Sequence, residues 1–308
     1  MKKVIVTGAD GFVGSALVKS LISNGYFVYA VVKDKKQLHD EDNINYIEAE
    51  FKDYINLESR ISDRSFDAFY HLAWNGTFGK SFEDHHRQLQ NAAYAADALM
   101  AAVRLQCKRF VLAGTIVELE VKHYITTDKG EPRISCIYGA AKLSAEMICR
   151  TLAYQHKIGF NTAILASIYG PGDRSSMIQN VLIRALQEGK SPKLIQGENL
   201  YDWIYIDDVA DALVAIEQKG RANRTYYVGH RELQTFESLV SKTRDIVAPN
   251  VGLRFGELQD KTVIDYFMID REALFRDTGF VCKADFDDSI RKTAQWLAEQ
   301  KAKEGANS

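Results

Sequence analysis

The stretch Lys3–Gly14, K-V-I-V-T-G-A-D-G-F-V-G, constrains this chain more than any other. Val4, Ile5 and Val6 form a short β-branched run of the kind that fills a strand buried on both faces. Thr7 to Gly11 interrupt it. From Phe12 onward Val13, Leu17 and Leu21 recur at helical spacing and Asn24-Gly25 supplies a stop, so the pattern predicts a helix. Strand, glycine turn and helix make one half of a nucleotide-binding βαβ unit. Gly8 lets the chain turn, Gly11 lets the backbone approach a pyrophosphate, and Gly14 lets the helix pack closely on the strand. The helix start at Phe12-Val13 offers unpaired N–H groups and a partial positive charge to the phosphates. The spacing is G-x-x-G-x-x-G rather than G-x-G-x-x-G, and such glycines alone mark only a turn. The strand before and the helix after favour dinucleotide binding.

A chain of 308 residues with 46% hydrophobic residues has room for one large α/β domain and a smaller region. Lys plus Arg total 39 against 41 Asp plus Glu, so there is no global basic field for nucleic acid or an anionic membrane, and neither is expected as a partner. No apolar run reaches the length of a membrane span. The sequence enters a strand at once, without the apolar stretch of a signal peptide. Cys107, Cys136, Cys149 and Cys282 have no metal or redox spacing. The expectation is a cytoplasmic protein with reduced thiols and no metal, frayed over Lys301–Ser308.

Tyr26–Val32 reads as the second strand. Where an NAD-specific unit carries an acid for the ribose 2′-hydroxyl, this chain has Val32, then Lys33, then Asp34. Lys33 can pair with a 2′-phosphate, which favours NADP(H) over NAD(H). In the other reading Lys33 is a solvated lysine and Asp34 binds the ribose of NAD. Asn45–Ala49 is a third strand ending at Glu50-Phe51, where the acid either accepts from the adenine amino group or is a plain surface carboxylate. Asp67–Leu72 is a fourth, running into Ala73-Trp74; small Ala73 lets a cofactor close to the C-terminal end of the strand. His71 reads as a packed core histidine, and His85-His86 as a helix-face pair lacking a third metal ligand. A long helix is predicted over Phe82–Gln106, then a strand over Phe110–Leu112 ending at Ala113-Gly114-Thr115. A polar loop follows, with Lys129-Gly130-Glu131-Pro132 as turn residues.

Tyr138 and Lys142 come next, on one face of a helix a turn apart. A free phenol, with a pKa of ~10, is a poor acid–base group at neutral pH. A nearby ammonium lowers it. Thr115, at a strand end, can hydrogen-bond the same substrate oxygen. Together they would form a proton-transfer site for a carbonyl or alcohol beside a nicotinamide. A Tyr–Lys pair at this spacing is by itself a common surface arrangement; the glycine turn gives it meaning.

The ordered motifs Thr7–Gly14, His71-Leu72-Ala73, Asn91, Tyr138-Gly139-Ala140-Ala141-Lys142 with Glu146, Tyr169–Arg174, Asp202–Ala210, Ile269-Asp270-Arg271, Thr278-Gly279-Phe280 and Trp296 span nearly the whole chain. With them the sequence resembles an extended short-chain dehydrogenase/reductase of the NAD-dependent epimerase/dehydratase family, whose members mostly act on nucleotide sugars. The resemblance implies a Rossmann-like α/β fold, a doubly wound parallel sheet with a smaller C-terminal α/β substrate-binding region. The expected division is 1–166, with 200–230 returning to it, against 167–199 and 231–308. Tyr138 is then the acid–base residue, Lys142 holds the nicotinamide ribose and lowers the phenol pKa, and Thr115 stands where the family has Ser or Thr. The expected cofactor-binding set is Gly8, Gly11, Phe12, Val13, Gly14, Lys33, Glu50, Phe51, Leu72, Ala73, Trp74, Asn91, Tyr138 and Lys142. A homodimer through the helices near 82–106 and 137–157 is also implied.

The departures from the family pattern bear on the reaction. The dehydratases usually carry Asp and Glu directly after the Thr; here the residues are Ile116 and Val117, with Glu118 one place late. Dehydration needs carboxylates for proton abstraction and leaving-group protonation, and is disfavoured. Ser167 replaces a frequent Asn and Tyr201 a frequent Arg where the nucleotide sugar would bind. Arg174, in a segment that lids the substrate in the family, and Arg271 are candidates for pairing with a diphosphate, or are surface ion-pair residues. Asp207-Asp208 reads as a helix cap. The leading expectation is an NADP(H)-dependent reductase of a 4-keto group on a nucleotide-activated deoxysugar. The alternative is a nucleotide-sugar 4-epimerase with tightly held NAD. A non-catalytic dinucleotide-binding regulator is a third reading, against which stand Thr115, Tyr138 and Lys142.

Overall fold

The computed structural model describes residues 1–36, 38, 42–77, 79–127 and 130–306. Lys129 of the expected turn lies outside them. In chain order the elements are β1 (Lys3–Thr7), α1 (Phe12–Ser23), β2 (Phe27–Val32), β3 (Ile44–Glu48), a 3-10 segment Phe51–Arg60, β4 (Ala68–His71), α2 (Lys80–Glu83), α3 (His85–Arg104), β5 (Arg109–Thr115), α4 (Val117–Thr127), α5 (Cys136–His156) and β6 (Gly159–Leu165). There follow β7 (Ser167–Tyr169), α6 (Ile178–Gln187), β8 (Leu200–Tyr201), β9 (Trp203–Tyr205), α7 (Ile206–Lys219), β10 (Arg224–Val228), β11 (Gln234–Thr235), α8 (Phe236–Val247), α9 (Ala273–Thr278) and α10 (Phe286–Ala306).

The described residues form a seven-stranded sheet in the order β3-β2-β1-β4-β5-β6-β10, with every neighbouring pair parallel. The strand order reverses at β1, the doubly wound pattern expected from the sequence. Val4, Ile5 and Val6 have no exposed surface, because helices cover both faces of a parallel sheet. On one face Phe69, Phe110 and Phe160 stack across β4, β5 and β6, with ring centroids 5.2 and 6.3 Å apart. The alanines of α3 that pack there (Ala92, Ala95, Ala98, Ala102) are buried, and their small side chains admit the helix closely.

The chain divides into two compact units, Met1–Leu165 with Val209–Val228 and Val263–Phe280, and Ala166–Asp208 with Gly229–Thr262 and Val281–Ser308. Residues 200–208 and 229–230, expected with the first unit, lie in the second, where β9 pairs with β7. Residues 263–280, expected with the second, lie in the first. Tyr226 on β10 donates to Asp277 Oδ2 at 2.8 Å, and Tyr227 meets the edge of Tyr266 at 6.2 Å. Within the second unit β8 pairs antiparallel with β11.

Several local expectations are corrected. The long helix is broken at Asp84, whose extended backbone and side chain cap α3 by accepting from Arg87 N. A helix, α4, replaces the polar loop after Thr115; its β-branched residues Val117, Val121 and Ile125 hide the helical pattern, while Leu119 and Val121 pack it down. The C-terminal helix continues through 301–306 rather than fraying. Asp208 lies inside α7, and its carboxylate accepts from the N–H groups of Lys283 (2.8 Å) and Ala284 (3.1 Å), tying in that strand of chain rather than capping its own helix. All four cysteines are free thiols. Among the described residues no helix is long and apolar enough to cross a membrane.

Candidate active site

The reversal at β1 opens a crevice at the C-terminal ends of β1 and β4, and the glycine turn lies there. Gly8 has φ +69°, and a Cβ on it would stand 2.9 Å from Ala73 Cα, so this position excludes any side chain. A Cβ on Gly14 would meet the Gly8 carbonyl oxygen at 1.9 Å. The turn is tied to β2 by Gly8 N and Ala9 N donating to Val31 O, and closed by Gly11 N donating to Gly8 O at 3.0 Å. Gly11 caps α1 without a side chain, which leaves the first-turn N–H groups at Phe12 and Val13 to face a ligand. Beneath the turn Thr7 Oγ1 meets His71 Nδ1 at 2.9 Å. His71 is buried, and burial first, then the charge of Lys142, pushes its pKa down to about 3. It is a neutral core histidine, as expected. A backbone cradle that admits no Cβ at Gly8 or Gly14, set against an uncapped helix N-terminus, fits a dinucleotide pyrophosphate.

Thr115, distant in sequence from Tyr138 and Lys142, is brought together with them beside this crevice. Thr115 ends β5; Tyr138 and Lys142 lie on α5, which packs on β5. Gly139 permits the close approach of α4, since a Cβ there would meet Val117 O at 2.9 Å. Lys142 is buried; Nζ donates to Ala113 O at 2.8 Å and lies 3.9 Å from the centre of the Trp74 ring. The Tyr138 ring is half-buried between Trp74, edge-on at 6.1 Å, and Phe82 at 4.7 Å. Burial pushes the phenol well above its ordinary range, and Glu118 adds to the rise, while the Thr115 side chain opposes it. The sequence reading has Lys142 lowering this pKa. In the structure the ammonium lies 5.8 Å from the phenol ring centre, and the cost of burying a phenolate prevails.

Two buried amides of α3 hold the loop after β4. Gln88 accepts from Trp74 Nε1 (2.7 Å) and donates to Gly76 O (2.7 Å) and Ser81 O (3.0 Å). Asn91 accepts from Asn75 N (3.0 Å) and donates to Asn75 O (2.8 Å). Asn91, expected to bind cofactor, is thus engaged with the backbone that positions Ala73 and Trp74. Glu50 is exposed, caps the 3-10 segment in a reciprocal box with Asp53 and pairs with Lys52 at 3.0 Å; Phe51 packs against Tyr54 and Tyr94. Lys33 and Asp34 are exposed beyond β2; Asp34 accepts from Lys36 N at 2.9 Å. Leu72 is half-buried beside buried Ala73. Arg271 is half-buried in the first unit. In the second unit Ser167 is half-buried on β7, its N–H donating to Asp202 O at 3.2 Å, and Arg174 is exposed.

Glu118 and Glu146 escaped the sequence reading as site residues, and only recognition of α4 as a helix could have found the first. Glu118 is fully buried, and Oε1 accepts from Thr115 N at 2.8 Å. Glu146, also buried, takes Arg150 at 2.6 Å and the Thr225 hydroxyl at 2.8 Å. Burial opposes its ionisation, but these bonds hold its carboxyl below the usual range.

A doubly wound parallel sheet with a glycine cradle at its switch point, and a threonine, a tyrosine and a lysine gathered beside it, places the protein among the dinucleotide-binding α/β proteins. The sequence model of the NAD dependent epimerase/dehydratase family matches residues 4–229, and the chain belongs to that family. A probable dTDP-glucose 4,6-dehydratase of Sinorhizobium fredii is 25% identical over 328 positions, covering 96% of this chain and 93% of its own. Among solved structures, the enzyme WbmF of Bordetella bronchiseptica in complex with NADH superposes with a TM-score of 0.78 at 22% identity, covering 98% of this chain and 93% of its own. The UDP-glucose 4-epimerase of Thermotoga maritima with UDP-glucose gives 0.76 at 20% identity, covering 97% and 99%. The last two likenesses are of fold.

Proposed function

We propose that this protein is an NADP(H)-dependent reductase of a 4-keto group on a nucleotide-activated 6-deoxyhexose. The observation that carries the proposal is the convergence of Thr115, Tyr138 and Lys142 at the cradle, with no open carboxylate bonded to them among the described residues. Ile116 and Val117 fill the places where dehydratases carry their acids, and Glu118 is buried with one oxygen bonded to Thr115 N. When bound, the nicotinamide supplies the hydride. Tyr138 protonates the carbonyl oxygen, and burial keeps its hydroxyl charged with that proton until it is needed. Thr115, at the end of β5, supplies a second hydrogen bond to the same oxygen. Lys142, anchored on Ala113 O, presents a positive charge to the nicotinamide ribose. Arg271 is proposed as a phosphate contact and, within the second unit, Arg174 and Ser167 are proposed substrate contacts, each taken by itself; the nucleotide sugars named for the relatives support this substrate class. The test is consumption of NADPH by the purified protein given a dTDP- or UDP-linked 4-keto-6-deoxyhexose. No consumption would overturn the reading.

The second reading, a 4-epimerase, is favoured by the dehydratase and epimerase names of the relatives and by the NADH held by a fold neighbour. NAD retained through gel filtration, with sugar interconversion and no net change in nicotinamide, would establish it instead. The preference for NADP(H) rests on Lys33, exposed just past β2. Lys33→Ala is expected to weaken NADPH about tenfold, the loss of one charge-assisted phosphate contact, and to leave NADH unchanged. Equal effects on both would assign Lys33 to the surface. Exposed Leu89 on α3 and Met147, Ile148 and Tyr154 on α5 are the proposed faces of a homodimer, to be checked by sedimentation. Four free thiols support a reducing, cytoplasmic setting.

A further inference from the structure

Tyr138 stands between two aromatic rings from the segment after β4, Trp74 edge-on at 6.1 Å and Phe82 at 4.7 Å. Trp74 lies in the loop that leaves β4, and Phe82 in the single turn of α2. Both are tied to the same residue of α3. Gln88 has no exposed surface. Its Oε1 accepts from Trp74 Nε1 at 2.7 Å, and its Nε2 donates to Gly76 O at 2.7 Å and to Ser81 O, the carbonyl next to Phe82, at 3.0 Å. The amide can take only one orientation, since an indole N–H only donates and the two carbonyls only accept. The loop is shaped to bring those carbonyls together: Gly76 has φ +82°, and a Cβ on it would come 2.8 Å from Ser81 O. A buried amide is costly unless its bonds are made, so Trp74, Gly76 and Ser81 are fixed as a set. Lys142 Nζ, 3.9 Å from the Trp74 ring centre, rests on the same indole.

We propose that Gln88 is a positioning residue for Tyr138: through one buried amide it holds both rings between which the phenol stands, and so sets where the hydroxyl points. The inference rests on the reading of Tyr138 as the proton donor at a nicotinamide, and not on the identity of the sugar. Helix α5 fixes the backbone of Tyr138, but the ring can still turn about its side-chain bonds, and the flanking rings restrict that rotation. Proton transfer needs the donor within about 2.6–3.2 Å of the reacting oxygen, so a small swing of the ring takes it out of reach. Gln88 acts only through the rings. Its bond to Trp74 also steadies the surface on which Lys142 Nζ lies.

The test is Gln88→Met, which keeps the length of the side chain and removes the amide. It is assayed with NADPH and a dTDP- or UDP-linked 4-keto-6-deoxyhexose, well below the melting temperature of each variant. Its kcat is expected to fall about 10-fold to 100-fold, the scale of a misplacement of about 1 Å. In a Tyr138→Phe background, where no hydroxyl is left to aim, the same change is expected to add less than about threefold. In protein carrying isotope-labelled tyrosine, the NMR signals of the Tyr138 ring, identified by their loss in Tyr138→Phe, are expected to shift in Gln88→Met, because shielding by Trp74 and Phe82 follows their geometry. A Gln88→Met variant that melts lower but keeps both kcat and the Tyr138 signals overturns the proposal. So does a loss of kcat that is as large without the Tyr138 hydroxyl as with it. Should Gln88→Met not fold, Gln88→Glu, which keeps the acceptor for the indole and loses both donations, takes its place with the same requirements. A wild-type protein without turnover in this assay or in sugar interconversion overturns the reading of Tyr138 as proton donor, whereas the ring signals still decide the role of Gln88.

Discussion

Replacing Tyr138 with phenylalanine is expected to lower turnover about 10²–10⁴-fold, the usual worth of a positioned acid–base group. The substitution removes one oxygen. The ring keeps its place against Phe82 and Trp74, so the fold and NADH affinity should be retained. The effect therefore belongs to kcat and not to stability, and steady-state kinetics with a thermal melt separate the two. The partner hydroxyl of Thr115 would remain and could still bond the substrate oxygen, which sets the residual rate. A loss of less than tenfold would show that proton delivery comes from elsewhere.

The second large effect is expected from Gly14→Ala. Its added methyl would be 1.9 Å from the Gly8 carbonyl oxygen and 2.9 Å from Ala9 Cα, both backbone atoms that cannot swing aside as a side chain can. Relief requires α1 to move off β1 or the turn to open. Overpacking of this kind costs about 1–3 kcal/mol, occasionally more. Either movement displaces the first-turn N–H groups from a bound pyrophosphate, so dinucleotide affinity should fall by at least about tenfold along with the melting temperature. Calorimetric titration with NADH and a thermal melt are the measurements; affinity within twofold of the wild type would show that the turn does not cradle the phosphates. Gly25, which has open space around its Cβ position but φ +77°, is a useful contrast: alanine there should cost stability through backbone strain and leave binding alone.

The parts of the fold legible in the sequence are those whose burial is uniform. Val4-Ile5-Val6 reads as an inner strand, and with strand and helix flanking it the glycine turn that follows favours dinucleotide binding over a plain turn. Tyr138 and Lys142 were legible because helical spacing fixes their relation whatever else the chain does. Helix α4 was not, because β-branched Val117, Val121 and Ile125 carry little helical signal and its stability comes from burial against α5. With the helix went Glu118, whose importance depends on which way a side chain folds back. The break at Asp84 was also hidden: no proline or glycine stands between Glu83 and Gln88 to mark it, and only the side-chain bond to Arg87 N reveals the cap. The phenol pKa was misjudged for a related reason, since spacing puts an ammonium one turn away but does not report how far burial outweighs it.

The interrupted path of the chain through the first unit has a consequence for biosynthesis. Six strands of the parallel sheet are encoded by Leu165, but the seventh, β10, comes only after the chain has left for the second unit and returned. Until Arg224–Val228 emerge from the ribosome, the outer backbone of β6 presents a row of unanswered donors and acceptors, the template on which nascent chains adhere to one another. Tyr226 brings with it the Asp277 segment, so the sheet is sealed by residues made well after β6. The nucleotide-binding half cannot be cut out by ending the polypeptide after β6; it would have to be spliced from pieces that the gene keeps apart.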